Sequence, residues 1–193
     1  AFFLCAGAMS REGIAVDGLS LPTRQGDSAL LPLLRQMGAE VNLSSGCITV
    51  RKGRLRATDI DARPIPDLIP PLSVLAAAAE GKSHIQNARR LRYKESDRLQ
   101  GIAELLNSLG GCLTVDGDGL LIHGVSHLQG GTVDPMGDHR LAMSAALAAL
   151  SADAPVTVRD ADCVSKSYPA FWADFQSLKG EAPCPAPSET PSV

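Results

Sequence analysis

RLRYKESDRLQGIAELLNSLGG, residues 90–111, holds a helix whose two ends can be read directly from the sequence. Leu99, Ile102, Ala103, Leu106 and Leu109 recur at three- and four-residue steps, which is the spacing of one helical face, so a helix is predicted over about Asp97 to Gly110. Ser96 or Asp97 suits the cap position, because a short polar side chain can accept a hydrogen bond from a first-turn N–H that has no partner inside the helix. Lys94 and Glu95 then fall in the loop just ahead, and Arg98 falls in the first turn.

The pattern occurs twice. A helix predicted over about Asp27 to Gly38 ends on Met37 and Gly38, 72 positions before Leu109 and Gly110. Each helix is followed by short alternating runs that read as strands, Cys47 to Val50 in the first copy and Cys112 to Val115 and Leu120 to His123 in the second. Each copy then reaches an aspartate and an apolar, Ala-rich helix. Asp67 leads LIPPLSVLAAAA, predicted helical over about Leu68 to Glu80, and Asp138 leads HRLAMSAALAAL, predicted helical to Leu150. Val156 to Val158 reads as a further strand. Two copies of a β-α-β-α unit are expected, giving an α+β fold with helices on a common face of the sheets.

Composition sets the limits of function. The chain has 193 residues, of which 45% are hydrophobic, enough to fill a core. Its 18 Lys and Arg against 21 Asp and Glu, a net charge of -3, offer no general attraction to nucleic acid or to an anionic membrane, so any anion site is local. Aromatic residues make up 4%, which argues against a base-stacking surface. The five cysteines, Cys5, Cys47, Cys112, Cys163 and Cys184, are spread without metal-ligand spacing and read as reduced thiols of a cytoplasmic protein. No metal and no cofactor is expected. The opening AFFLCAGAM is too short to span a bilayer and lacks the basic flank of a signal peptide. It begins in mid-element without Met, so an amino-terminal part is expected to be missing. The proline-rich residues 181–193 are expected to be disordered.

The chemistry is carried by cations at helix starts. Arg98 follows Asp97, and His139 and Arg140 follow Asp138. A helix amino terminus already carries partial positive charge, so a cation there costs a few tenths to about 1 kcal/mol unless an anion joins it. Lys166 stands just before Pro169, a residue favoured in a first turn, so a third cation is expected at a helix start. Asp67 is expected to cap the helix in which Pro70 and Pro71 are tolerated. Arg98 and Arg140 could simply be neutralised by Asp97 and Asp138, or Arg98 by Glu95, each such exposed pair contributing roughly 0 to 1 kcal/mol. The recurrence of the pattern, with Lys94 and Lys166 added, favours an anion site. Lys82, Arg89, Arg90 and Arg92 read as a solvated rim, and His84, His123 and His127 show no ligand spacing.

These segments, together with LPTRQGDSALLPLLRQMGAEV and CVSKSYPAFWADF, resemble the 5-enolpyruvylshikimate-3-phosphate synthase family from about Ala1 to Leu178. The resemblance implies one domain of a two-domain enolpyruvyl transferase, a prism built from β-α-β-α-β-β units. Residues 1–180 would form the phosphoenolpyruvate side, the first 15 or so being the end of the missing domain and its hinge. It implies transfer of the enolpyruvyl group of phosphoenolpyruvate to the 5-hydroxyl of shikimate 3-phosphate with release of phosphate, a step of the shikimate pathway to chorismate and aromatic amino acids. Arg98, Arg140 and Lys166 would hold phosphoenolpyruvate, with His139 beside them. Lys94 would reach the shikimate hydroxyl, Asp67 would take its proton, and Glu95 would protonate the methylene carbon. Arg90 stands where some members carry a shikimate-contacting asparagine and is not carried over as a ligand.

Family members are more than twice this length, so the partners implied are the two substrates and the missing half of the chain, with no nucleic acid and no membrane. The chain alone is expected to be inactive. Two alternatives stand beside this reading: the related UDP-N-acetylglucosamine enolpyruvyl transferase, and a non-catalytic domain that binds phosphorylated metabolites.

Overall fold

A computed structural model of the chain describes residues 1–19, 26–44 and 46–178. The proline-rich stretch expected to be disordered, residues 181–193 with Cys184, lies outside the described residues, as do residues 20–25, which include LPTRQ.

The element order is α1 (Phe2–Met9), β1 (Ile14–Asp17), α2 (Leu30–Gln36), β2 (Glu40–Ser44), β3 (Cys47–Arg51), β4 (Ile60–Asp61), α3 (Ile69–Ala77), β5 (Lys82–Gln86), α4 (Arg98–Ser108), β6 (Cys112–Asp116), β7 (Gly119–His123), β8 (Gly131–Val133), α5 (His139–Ala149), β9 (Val156–Val158) and α6 (Phe171–Ser177). The four helices expected from the sequence are present, with Gly26–Ala29 and Pro66–Leu68 forming 3-10 turns at the entrances to α2 and α3.

The helices fall into two kinds, for a reason visible in their sequences. IPPLSVLAA of α3 is apolar on every side, and all nine of its residues are buried. α1 and α5 are nearly as apolar, and the three pack on one another at the centre of the molecule. In α4 the apolar residues form one stripe. Leu99, Ile102, Leu105 and Leu106 are buried, while Gln100 and Glu104 face solvent.

Three sheets surround the central helices. The largest has the order β4-β5-β7-β6, with β4 parallel to β5 and the other pairs antiparallel. A second is β1-β3-β2, antiparallel throughout, and a third is the parallel pair β8-β9. In sheet phase, β4-α3-β5-α4-β6-β7 is one full unit. β1-β3-β2 matches that sheet without its parallel first strand, and β8-β9 matches its first two strands. The repeat is therefore threefold, one more than the two copies expected.

The helix ends that revealed the repeat have a common geometry. Gly38 and Gly110 both take positive φ, 94° and 82°. Ala39 N–H then donates to Leu34 O at 2.9 Å, and Gly111 N–H to Leu106 O at 2.8 Å, closing α2 and α4 with the same Schellman turn. The ends of the chain are joined by aromatic residues. Phe2 and Phe3 of α1 meet Tyr168, Phe171 and Phe175 at ring separations of 5.9 to 6.3 Å. Trp172 stacks edge-on to Phe171. Cys5, Cys112 and Cys163 are free thiols, as expected for them.

Candidate active site

The starts of α3, α4 and α5 converge, and Arg98 lies where they meet. Its side chain is 0% exposed. Nε donates to Asp138 Oδ2 at 2.8 Å and Nη2 to Asp138 Oδ1 at 3.2 Å, the two-pronged contact that a planar guanidinium makes with a carboxylate. Nη2 also donates to Glu95 Oε2, and Nη1 to Asp67 Oδ1 at 3.1 Å. One arginine thus joins the loop ahead of α3, the loop ahead of α4 and the cap of α5.

Close helix packing makes that reach possible. A Cβ on Gly101 would stand 2.6 Å from Leu141 Cδ1 and 2.7 Å from Met136 Cε, so α4 and α5 approach through a position where only a hydrogen fits comfortably. Asp138 is fully buried, and its oxygens are well used. Beyond Arg98, it accepts from Ser96 Oγ at 3.1 Å and from Arg140 N–H at 2.9 Å, the latter as the cap of α5. Asp97 is the cap of α4 and accepts from Gln100 N–H at 3.1 Å.

Asp67 does not cap a helix, which corrects the expectation made for it. It lies inside the 3-10 turn Pro66–Leu68, and neither that turn nor α3 has a side-chain cap. Its carboxylate instead faces cations. Lys94 Nζ is 3.0 Å from Oδ1, and Arg140 Nη2 is 3.6 Å from Oδ2. Arg140 Nη1 also donates to the Asp67 carbonyl at 3.1 Å. Asp67 keeps 40% side-chain exposure and Arg140 26%, against none for Arg98, so this edge of the cluster is open to solvent.

Glu95 is 39% exposed, with Oε1 3.9 Å from Nδ1 of His139. The His139 ring is buried and its Nδ1 has no hydrogen-bond partner among the described residues. Lys166 Nζ donates to Gly137 O at 3.3 Å, next to Asp138. The expected cation at a helix start is present, but the helix it faces is α5. Pro169 lies before α6, which begins at Phe171. Asp67, Lys94, Glu95, Arg98, His139 and Arg140 are therefore linked by contact into one cluster, and Lys166 borders it through the Gly137 carbonyl beside Asp138.

The electrostatics follow from this packing. Burial pushes the Asp138 carboxyl up, but the hydrogen bond and charge of Arg98 outweigh it and hold the group below its ordinary value. Asp67 is likewise held low against its burial, by the hydrogen bond from Lys94 and the charges of Arg140, Lys94 and Arg98. Burial lowers the pKa of His139, overriding the pull of Asp138 and Glu95 in the other direction. Both aspartates are ionised and His139 is neutral near pH 7.

Of the pairs that neighbouring sequence positions suggested, Glu95 with Arg98 forms, whereas Asp97 with Arg98 does not. Asp97 binds Arg92, Nη1 to Oδ2 at 3.0 Å, and leaves Arg98 alone. Arg92 also donates to Gly117 O at 2.8 Å, so it is a tie between α4 and the β6-β7 turn and not a solvated rim residue. Lys82, Arg89 and Arg90 are exposed as expected. Sequence reasoning missed Ser96 as a partner of Asp138, since proximity across 42 positions leaves no local trace.

This prism of repeated units places the chain among the enolpyruvyl transferases by fold. The solved structure of EPSP synthase from Acinetobacter baumannii superposes with a TM-score of 0.79 at 28% identity, over 94% of this chain and 45% of that one. The chain belongs to the EPSP synthase (3-phosphoshikimate 1-carboxyvinyltransferase) family, whose sequence profile matches residues 1–175. The 3-phosphoshikimate 1-carboxyvinyltransferase of Clostridium kluyveri is 42% identical over 181 residues, and that of Methanocella arvoryzae is 46% identical over 177. These alignments cover 94% and 91% of this chain but 42% of each relative, so the chain spans less than half the length of the curated relatives it matches. No helix among the described residues is long and apolar enough to cross a membrane.

Proposed function

We propose that this chain supplies the phosphoenolpyruvate side of a cytoplasmic 3-phosphoshikimate 1-carboxyvinyltransferase, residues 1–180 being that domain, and that turnover needs the length of the relatives it does not span. The observation that carries the reading is the gathering of Lys94, Arg98 and Arg140 around one aspartate, Asp67, with Glu95 and Lys166 attached to the same cluster.

Each residue has a distinct part. Arg140 and Lys166 have donors to spare and would take the carboxylate and phosphate of phosphoenolpyruvate. Arg98 has one Nη1 direction to contribute, since Asp138 and Glu95 occupy the rest. Asp67, ionised and open to solvent, would accept the proton of the substrate hydroxyl, and Lys94 would orient that hydroxyl. The hydroxyl oxygen bonds to C2 of phosphoenolpyruvate while Glu95 gives a proton to C3. The C2–O bond to phosphate then breaks, C3 returns a proton, and the enol ether and inorganic phosphate leave.

Sheet topology supports the need for a partner segment. The registers Ile60 with Ile85 and Val133 with Val158 place β9 where β5 stands in the full unit. β5 is paired on both edges and Ile85 is completely buried. Among the described residues β9 is paired on one edge, and Val158 is only partly buried. A hairpin like β6-β7, supplied by the rest of a longer chain, would fill that edge. Titration of the chain with phosphoenolpyruvate tests the binding half of the proposal. Weak saturable binding that disappears in Arg140→Lys is expected, and binding unaffected by that change would count against it.

A further inference from the structure

Resting on that proposal, we infer that the Asp67 carboxylate acts as an internal counter-ion that occupies the anion clamp until a ligand displaces it, so that anion binding and arming of the base are one event.

The arrangement of donors leads to this. Arg98 directs Nε and Nη2 to Asp138 and Glu95, and the one nitrogen left for a ligand, Nη1, is bonded to Asp67 Oδ1 at 3.1 Å. The same oxygen takes Lys94 Nζ at 3.0 Å, and the other faces Arg140 Nη2 at 3.6 Å. One carboxylate therefore faces three cations, as a bound anion would. The main chain of Asp67 cannot leave easily. It sits in a 3-10 turn between Pro66 and the buried start of α3, and its carbonyl accepts from Arg140. The side chain is the movable part, and its exposure leaves a solvent side to turn toward. An entering phosphate or carboxylate competes with the Asp67 carboxylate for Arg98 Nη1 and for the charge of Arg140, and takes the full clamp as that carboxylate rotates off them. Losing two cations raises its proton affinity, which suits a group that must then accept a proton.

The probe is inorganic phosphate, titrated into the whole chain and into Asp67→Asn, which keeps the size of the side chain and removes the competing charge. Phosphate binding about fivefold tighter in Asp67→Asn is expected, a change of about 1 kcal/mol. In the wild-type chain, the Asp67 carboxyl carbon signal should titrate at higher pH with phosphate saturating than without it, a readout that needs no variant to fold. Binding equal or weaker in a folded Asp67→Asn, or an unmoved Asp67 titration, would overturn the inference while leaving the proposed site standing. Absence of phosphate binding in both forms would remove the clamp itself and the inference with it.

Discussion

Arg98 and Asp138, 40 positions apart in sequence, meet in a fully buried two-pronged ion pair, with Nε to Oδ2 at 2.8 Å and Nη2 to Oδ1 at 3.2 Å. Neither side chain has any exposure. This pair fixes the start of α4 against the start of α5, and the rest of the cluster is arranged around it.

Loss of one partner would leave a buried charge without compensation. Asp138→Ala should therefore lower unfolding free energy by about 3 to 5 kcal/mol, read from denaturant melts. Arg98→Lys should also destabilise, because an ammonium cannot reproduce the fork that joins Asp138, Glu95 and Asp67. In sequence Arg98 and Arg140 look equivalent, each a cation in the first turn of a helix. Burial separates them. Arg140→Lys should cost under about 1 kcal/mol in stability and act on ligand binding instead.

Acid should weaken the fold in two steps. His139 has a folded pKa below its unfolded value of about 6.5, so the unfolded chain binds the proton more readily, and stability present above that pH declines as pH falls through it. Asp67 and Asp138 are also held low, so their contribution is complete above about 3.9 and is lost as pH falls further. Unfolding free energy measured from pH 8 to 3 should show both declines. His139→Gln should remove the first and spare the second.

The Schellman turn at Gly38 allows a test of how tightly the end of α2 packs. Gly38 and Gly117 both have positive φ, so alanine at either should incur roughly 1 to 2 kcal/mol of backbone strain. A Cβ at Gly38 would also fall 2.2 Å from the Arg54 carbonyl oxygen, whereas one at Gly117 meets nothing within 4 Å. Gly38→Ala should thus lower the melting temperature clearly more than Gly117→Ala. Equal effects would mean that the approach of α2's end to Arg54 is not tight.

Much of this molecule was legible because its signals are local. The spacing of Leu99, Ile102 and Leu106 marks one face of α4, and Asp97 and Asp138 sit in sequence next to the turns they cap. The family segments also pointed to residues that lie together at the starts of α3, α4 and α5. What escaped depends on contacts distant in sequence. Asp67 looks like a cap until Lys94, Arg98 and Arg140 are seen on its carboxylate. Arg98 looks like a free ligand until Asp138 is found filling its fork. The third repeat was hidden because its helix, α5, had already been assigned to the second copy, and β8 is only three residues long. The aromatic join between α1 and α6 spans nearly the whole chain and has no sequence period to reveal it.

Under the proposed function, this chain holds one side of a carboxyvinyltransferase site and depends on the other side for chemistry. Bringing two reactants into contact geometry is worth up to about 7 to 11 kcal/mol, and a half site cannot supply it. The decisive measurement is release of inorganic phosphate from phosphoenolpyruvate and shikimate 3-phosphate, first by the purified chain alone and then with the amino-terminal part of a full-length relative added. We expect no turnover alone and turnover on mixing that Arg140→Lys abolishes. Turnover by the chain alone, or a mixed complex that forms and stays inactive, would contradict the account.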